Sequence, residues 1–132
     1  DACHIPLFDT AFDQVLKVLH QSLGPALDQT LIVSLTEFGR TMSQNGGSGT
    51  EHGYGTAVLL AGGLLKKAQV LTDWPGLSKQ TLFEGRDLQA SIDARAVYAA
   101  AMASCFGVSQ QKICASAFFG ERLRDLSGDL FI

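Results

Sequence analysis

Two short apolar runs constrain this chain more than any other feature: Leu31-Ile32-Val33-Ser34-Leu35 and Ala57-Val58-Leu59-Leu60-Ala61, with a long polar segment between them. Runs of this length without polar alternation read as strands buried on both faces. A sheet covered on both faces needs helices on both sides, and the chain offers them. Phe8, Ala11, Phe12, Val15, Leu16, Leu19 and Leu23 recur at steps of three and four, which predicts an amphipathic helix over residues 9–23 closed by Gly24-Pro25. Asp93 is placed to cap a second helix over residues 93–106. Val97, Tyr98, Ala101, Met102 and Cys105 line that helix, and Gly107 ends it. The expectation is one α/β unit over residues 1–132, with residues 31–35 and 57–61 as adjacent strands of a mostly parallel central sheet and the two helices flanking it.

The rest of the chain carries weaker signals. From Thr36 to Gly55 it is polar, and Gly46, Gly47, Gly49, Gly53 and Gly55 fall within ten residues. Loops this long in compact domains usually carry function or lack order. Ala68-Gln69-Val70-Leu71 suggests a short edge strand, Asp73-Trp74-Pro75-Gly76-Leu77 a turn, and Thr81-Leu82-Phe83 a weak strand. Residues 116–132 hold scattered apolar side chains and predict irregular packing.

Composition excludes several classes. A formal net charge of −3 leaves no basic footprint for nucleic acid. The one adjacent basic pair, Lys66-Lys67, is too small to hold a membrane surface, and no apolar run nears the ~18 residues a membrane helix needs. Charged residues make up only 17% of the chain, below the roughly 25% usual for a free-standing domain. That shortage predicts surface covered by something else: a missing N-terminal part of a larger chain, or a second copy in a homodimer. The chain opens on Asp1 rather than Met, consistent with a segment of a longer protein. Cys3, Cys105 and Cys114 are odd in number and lack metal spacing. They read as idle thiols, with a Cys105–Cys114 disulfide as the alternative.

The candidate chemistry sits beyond the first apolar run, at Thr36-Glu37-Phe38-Gly39-Arg40-Thr41. In open α/β sheets ligands bind outside the carboxyl ends of strands. A carboxylate there can hold a cation, and an arginine can clamp an anionic oxygen through two parallel N–H donors. Gly49-Thr50-Glu51-His52-Gly53-Tyr54-Gly55 adds an imidazole beside a carboxylate, among glycines that let backbone approach closely. The bland alternative is that Glu37 and Arg40 pair with each other while His52 is a hydrogen-bonded loop residue. Thr36, Thr41 and Ser43 have no adjacent base to activate them, so turn and cap hydrogen bonding is their expected role. His20 reads as a surface residue, and Tyr54 and Trp74 receive no role.

The strings L-I-V-S-L-T-E-F-G-R-T, N-G-G-S-G-T-E-H-G-Y-G and T-D-W-P-G-L together resemble domain of unknown function family 1501. D-A-R-A-V-Y-A-A-A-M-A-S-C-F-G-V resembles that family's last long helix, and the ending F-F-G…L-F-I stands where its members finish. The resemblance spans nearly the whole chain but about the last third of a typical member. It implies the alkaline-phosphatase-like superfamily, with a three-layer fold, two divalent metals and a Ser, Thr or Cys nucleophile. Glu37 falls where superfamily members place the acidic half of an Asp-His metal pair. Phe38 stands in place of that pair's histidine. His52 matches the later histidine ligand, and Glu51 the acidic residue before it. Asp1 and His4 match the remnant of an upstream D-x-H motif, with one residue too many between them. Lys66-Lys67-Ala68 also departs, because relatives carry a Gly-Gly pair nearby.

The resemblance therefore implies the C-terminal segment of a metal-dependent phosphate or sulfate ester hydrolase relative, inactive alone because the nucleophile lies upstream. Glu37, His52, Asp1 and His4 are the expected metal ligands, for zinc or manganese held weakly or not at all by this segment, and Arg40 is the expected anion-binding residue. No catalytic residue is expected within it. Relatives carry export signals, which implies a periplasmic or extracellular parent. The alternative is a non-catalytic binding or structural module that kept the fold and lost its metals.

Overall fold

A computed structural model describes residues 5–132, with side chains from Thr10 onward. The first helix, α1 (Ile5–Leu23), ends as expected at Gly24, whose φ of 50° suits a residue without a Cβ. The chain continues through a 3-10 helix over Gly24–Gln29, with Pro25 at its start. Two short strands follow far apart in sequence, β1 (Ile32–Val33) and β4 (Leu60–Ala61). Between them β2 (Gly39–Gln44) and β3 (Thr50–Gly53) form a hairpin. The C-terminal third holds α2 (Ala94–Phe106), α3 (Gln110–Ala117) and α4 (Ser127–Leu130).

The described residues are mixed α/β with two small antiparallel sheets. The two apolar runs are neighbours, as their composition predicts, with Ile32 opposite Ala61 and Val33 opposite Leu60. Their direction corrects the expectation of a mostly parallel sheet: they run antiparallel. The cause lies in residues 36–56. A parallel pair needs a crossover that carries the chain back to its starting end, usually by a helix on one face. Here the connecting segment turns on itself as the β2–β3 hairpin, so the chain re-enters beside β1 from the opposite direction. Residues 68–71 form no strand, and residues 81–83 contribute only an isolated bridge between Phe83 and Asp87.

The core is C-terminal. Ala96, Val97, Ala100 and Ala101 of α2 pack with Leu126, Leu130 and Phe131, and Val33 and Leu60 of the β1–β4 ribbon, with Leu31 and Val58 just outside it, close over them. The small side chains of α2 let neighbours approach its backbone, and Leu126 fills the resulting space with no exposure at all. Residues 116–132, whose sequence predicts irregular packing, therefore supply the largest fully buried side chain among the described residues. Asp93 caps α2 as predicted, accepting from the Arg95 backbone N–H at 2.9 Å, and Gly107 closes it at φ 62°. Cys105 and Cys114 are free thiols, Cys105 exposed and Cys114 buried.

Candidate functional site at the glycine-rich hairpin

The polar segment after β1 is ordered by its own hydrogen bonds. Thr36 bends the chain: its hydroxyl donates to the Phe38 carbonyl at 3.0 Å and accepts from the Phe38 N–H at 3.4 Å. Glu37 lies at the apex of that bend, exposed, with no hydrogen-bond or ion-pair partner among the described residues. β2 and β3 then pair with Gly39 opposite Gly53 and Arg40 opposite His52. At the hairpin tip the Asn45 side-chain oxygen accepts from the Gly47 and Gly49 N–H groups at 3.0 and 3.1 Å. Its amide donates to Glu51 Oε1 at 2.7 Å. An asparagine that folds its own backbone in this way is a turn device.

The other edge of β2 is occupied too. Met42 donates to the Arg86 carbonyl at 3.1 Å and Leu88 donates to the Arg40 carbonyl at 3.2 Å, with Thr41 bridged to Asp87. Three backbone segments thus lie side by side with glycine at the contacts. A Cβ on Gly53 would fall 2.6 Å from the Arg40 carbonyl carbon, and one on Gly55 would fall 2.5 Å from the Leu88 oxygen. Thr41 and Asp87 face inward, at 6% and 4% exposure. The Thr41 hydroxyl accepts from the Glu51 N–H at 3.1 Å and donates to the Ser43 carbonyl at 3.3 Å, the structural role its sequence setting predicts. Arg86 Nε lies 2.7 Å from Asp87 Oδ1, yet that oxygen accepts no hydrogen bond. The contact compensates charge while its angle is wrong for a hydrogen bond.

Arg40 and His52 share the opposite, exposed face. The guanidinium donates once, from Nη1 to the Thr50 carbonyl at 3.1 Å, and pairs with no carboxylate among the described residues. The alternative that Glu37 and Arg40 tie each other down is therefore not what the chain does. Four of the five guanidinium N–H donors remain for a ligand. The imidazole of His52 lies flat against the Phe38 ring, with centroids 4.0 Å apart and planes 8° from parallel. A second stack, Tyr54 on Phe83 at 4.2 Å and 19°, gives Tyr54 a partner that its sequence setting does not reveal.

The structure thus brings together Arg40, His52 and Phe38, with Glu37 at the neighbouring bend. Glu51 is drawn off to Asn45. Asp1 and His4 lie outside the described residues. Among the described residues, no three His, Cys, Asp or Glu side chains stand close enough to hold a metal ion, and no helix is long and apolar enough to cross a membrane. Sequence reasoning missed Asn45 and Asp87; an Asn followed by two glycines was the available signal for the first, whereas Asp87 carries no local signal.

Residues 4–115 match the family described as Protein of unknown function (DUF1501). The chain belongs to that family. Neither the curated proteins nor the solved structures give a significant match. Membership covers the apolar runs, the hairpin and α2, so the strings that carry the resemblance fall mostly inside the matched region.

Proposed function

We propose that this family member is the C-terminal segment of an alkaline-phosphatase-like ester hydrolase relative, in which the β2–β3 hairpin faces the substrate. The observation carrying the reading is the cross-strand pairing of Arg40 with His52 on one exposed face, with the guanidinium free of any carboxylate among the described residues. A planar fork of N–H donors beside an imidazole suits a phosphate or sulfate oxygen. Gly53 and Gly55 let the backbone segments of the hairpin approach closely behind that face, where any side chain would intrude. In this role the segment binds and orients the ester's charged group, and the nucleophile comes from elsewhere.

The described residues alone do not compose a metal shell. Position 38, which the resemblance aligns with a histidine ligand, does reach His52, but a phenyl ring offers no lone pair. A zinc or manganese site would have to draw on Glu37 and His52 together with Asp1 and His4. The Phe38–His52 stack favours a second reading, a binding module that kept the fold and gave up metal chemistry.

Calorimetric titration with inorganic phosphate and with sulfate tests the proposal. Arg40→Ala and His52→Ala should each weaken binding at least tenfold while circular dichroism stays unchanged. Affinity equal to that of the unaltered chain in both variants would remove the hairpin from any anion site.

A further inference from the structure

Asn45, at the tip of the β2–β3 hairpin, is the only asparagine in the chain, and glycine follows it. In an Asn-Gly pair the glycine nitrogen can attack the side-chain carbonyl carbon, because no Cβ shields it. The bond from that nitrogen to Cγ forms and the Cγ–Nδ2 bond breaks. Ammonia leaves, carrying the proton of the Gly46 N–H, and water opens the cyclic imide to an aspartyl or isoaspartyl residue.

The nucleophile of that reaction is open here. The Gly46 N–H makes no hydrogen bond among the described residues, Gly46 is exposed, and nothing lies within 4 Å of where its Cβ would stand. The amide it would attack is held at both ends. Asn45 Oδ1 accepts from the Gly47 and Gly49 N–H groups at 3.0 and 3.1 Å, and Nδ2 donates to Glu51 Oε1 at 2.7 Å. The surrounding backbone is fixed as well: Asn45 donates its N–H to the Gly49 carbonyl at 2.8 Å and accepts from the Ser48 N–H at 3.2 Å, with Ser48 at φ 64°. Attack requires the amide to turn its face to the Gly46 nitrogen at near-bonding range, and that rotation breaks the side-chain bonds. The bond to Glu51 is charge-assisted, and losing one of that kind shifts an equilibrium by roughly tenfold or more.

We propose that Asn45 is a deamidation site kept latent by the hairpin's own hydrogen bonds, and that its conversion opens the tip. The product has lost the donor to Glu51 and sets a second carboxylate against the first, so the turn is pushed apart. Glu51 directly precedes His52 in β3, which places the change in the strand that carries the Arg40–His52 pair. Every group concerned lies within residues 40–52, whatever chain precedes or follows them.

Peptide mapping by mass spectrometry of the aged chain, folded and in urea, tests this. Loss of the Asn45 amide should be at least about tenfold slower in the folded chain than in the unfolded one. Glu51→Ala, with circular dichroism unchanged, should speed it in the folded chain. Gly46→Ala, for which there is room, should nearly stop it in both states. Asn45→Asp should lower Tm, and adding Glu51→Gln should restore most of the loss. Equal rates in the folded and unfolded chain overturn the proposal, as does a Glu51→Ala chain that converts no faster than the unaltered one. An Asn45→Asp chain with unchanged Tm overturns the opening of the tip.

Discussion

The start of α2 offers the sharpest test of how this core is held. Asp93 does two jobs there: its carboxylate accepts from the Arg95 backbone N–H at 2.9 Å and from the Arg95 guanidinium at 2.7 Å. That guanidinium reaches on to Glu121 at 2.8 Å, tying the helix start to the segment after α3. Asp93→Ala removes the cap, worth about 1 kcal/mol in a range of roughly 0.5–2. It also removes an exposed ion pair worth about 0–1 kcal/mol. The sum, about 1–2 kcal/mol, should lower Tm by roughly 3–8 °C for a chain of this size. Asp93→Asn keeps an acceptor for the N–H and loses only the charge, so its loss should stay below about 1 kcal/mol. The hydrogen bonds from Arg95 hold the Asp93 carboxyl below its ordinary pKa, against a smaller opposing effect of burial. A carboxyl with a depressed folded pKa stabilises fully above its unfolded pKa, about 3.9, and loses that contribution as pH falls through the lower folded value. Urea unfolding of the three proteins should therefore show the full gap between the unaltered chain and the alanine variant at neutral pH, shrinking below about pH 4. If the asparagine variant lost as much as the alanine variant, or the gap persisted unchanged into strong acid, the cap-and-charge account would be wrong.

Three further outcomes follow from the same geometry. Gly53→Ala puts a Cβ within 2.6–2.8 Å of Arg40 and Thr41 backbone atoms; unfolding should show a loss of about 1–3 kcal/mol, and imidazole NMR shifts should report the Phe38–His52 stack disrupted. Leu126→Ala empties a side chain with 0% exposure and should lower unfolding free energy by about 2–5 kcal/mol, a loss that a peripheral tail would not give. Phe38→His replaces the ring stacked on His52 with a second imidazole; added zinc should raise Tm in this variant more than in the unaltered chain, and a further His52→Ala should abolish the difference.

Much of the scaffold is legible in the sequence because it obeys simple periodicities. The 3.6-residue repeat of Phe12, Leu16, Leu19 and Leu23 marks α1, and the Asp93 and Gly107 caps mark α2. The two apolar runs declare themselves as neighbours. Their direction stays hidden, because apolar composition shows that a strand is covered and says nothing of which way its partner runs. The C-terminal elements escape for a related reason. Leu126, Leu130 and Phe131 give too short a pattern for periodicity to register, and their burial comes from the alanine face of α2, more than twenty residues earlier in the chain.

The hairpin is illegible for a different physical reason, and it bears on the site. Strand patterns are visible when one face is covered by apolar side chains, but the covered face of β2 carries Gly39 and Thr41, and across it lies Gly53. What covers that face is backbone, brought within range by absent side chains, with a buried carboxylate beside it. A hydrophobicity scale sees nothing there. The residue types of the site are readable, since Arg40 and His52 stand out at once; their pairing is not, because it depends on a register set by glycines and an asparagine turn. The same register explains why Phe38 and not Glu37 meets the imidazole. Side chains alternate along an extended chain, so Phe38 shares the face of Arg40 and stacks on His52, while Glu37 stands at the Thr36 bend. The imidazole of His52 therefore has the Phe38 ring against one face and Arg40 opposite it across the strand pair, which is the arrangement that the proposed anion site rests on.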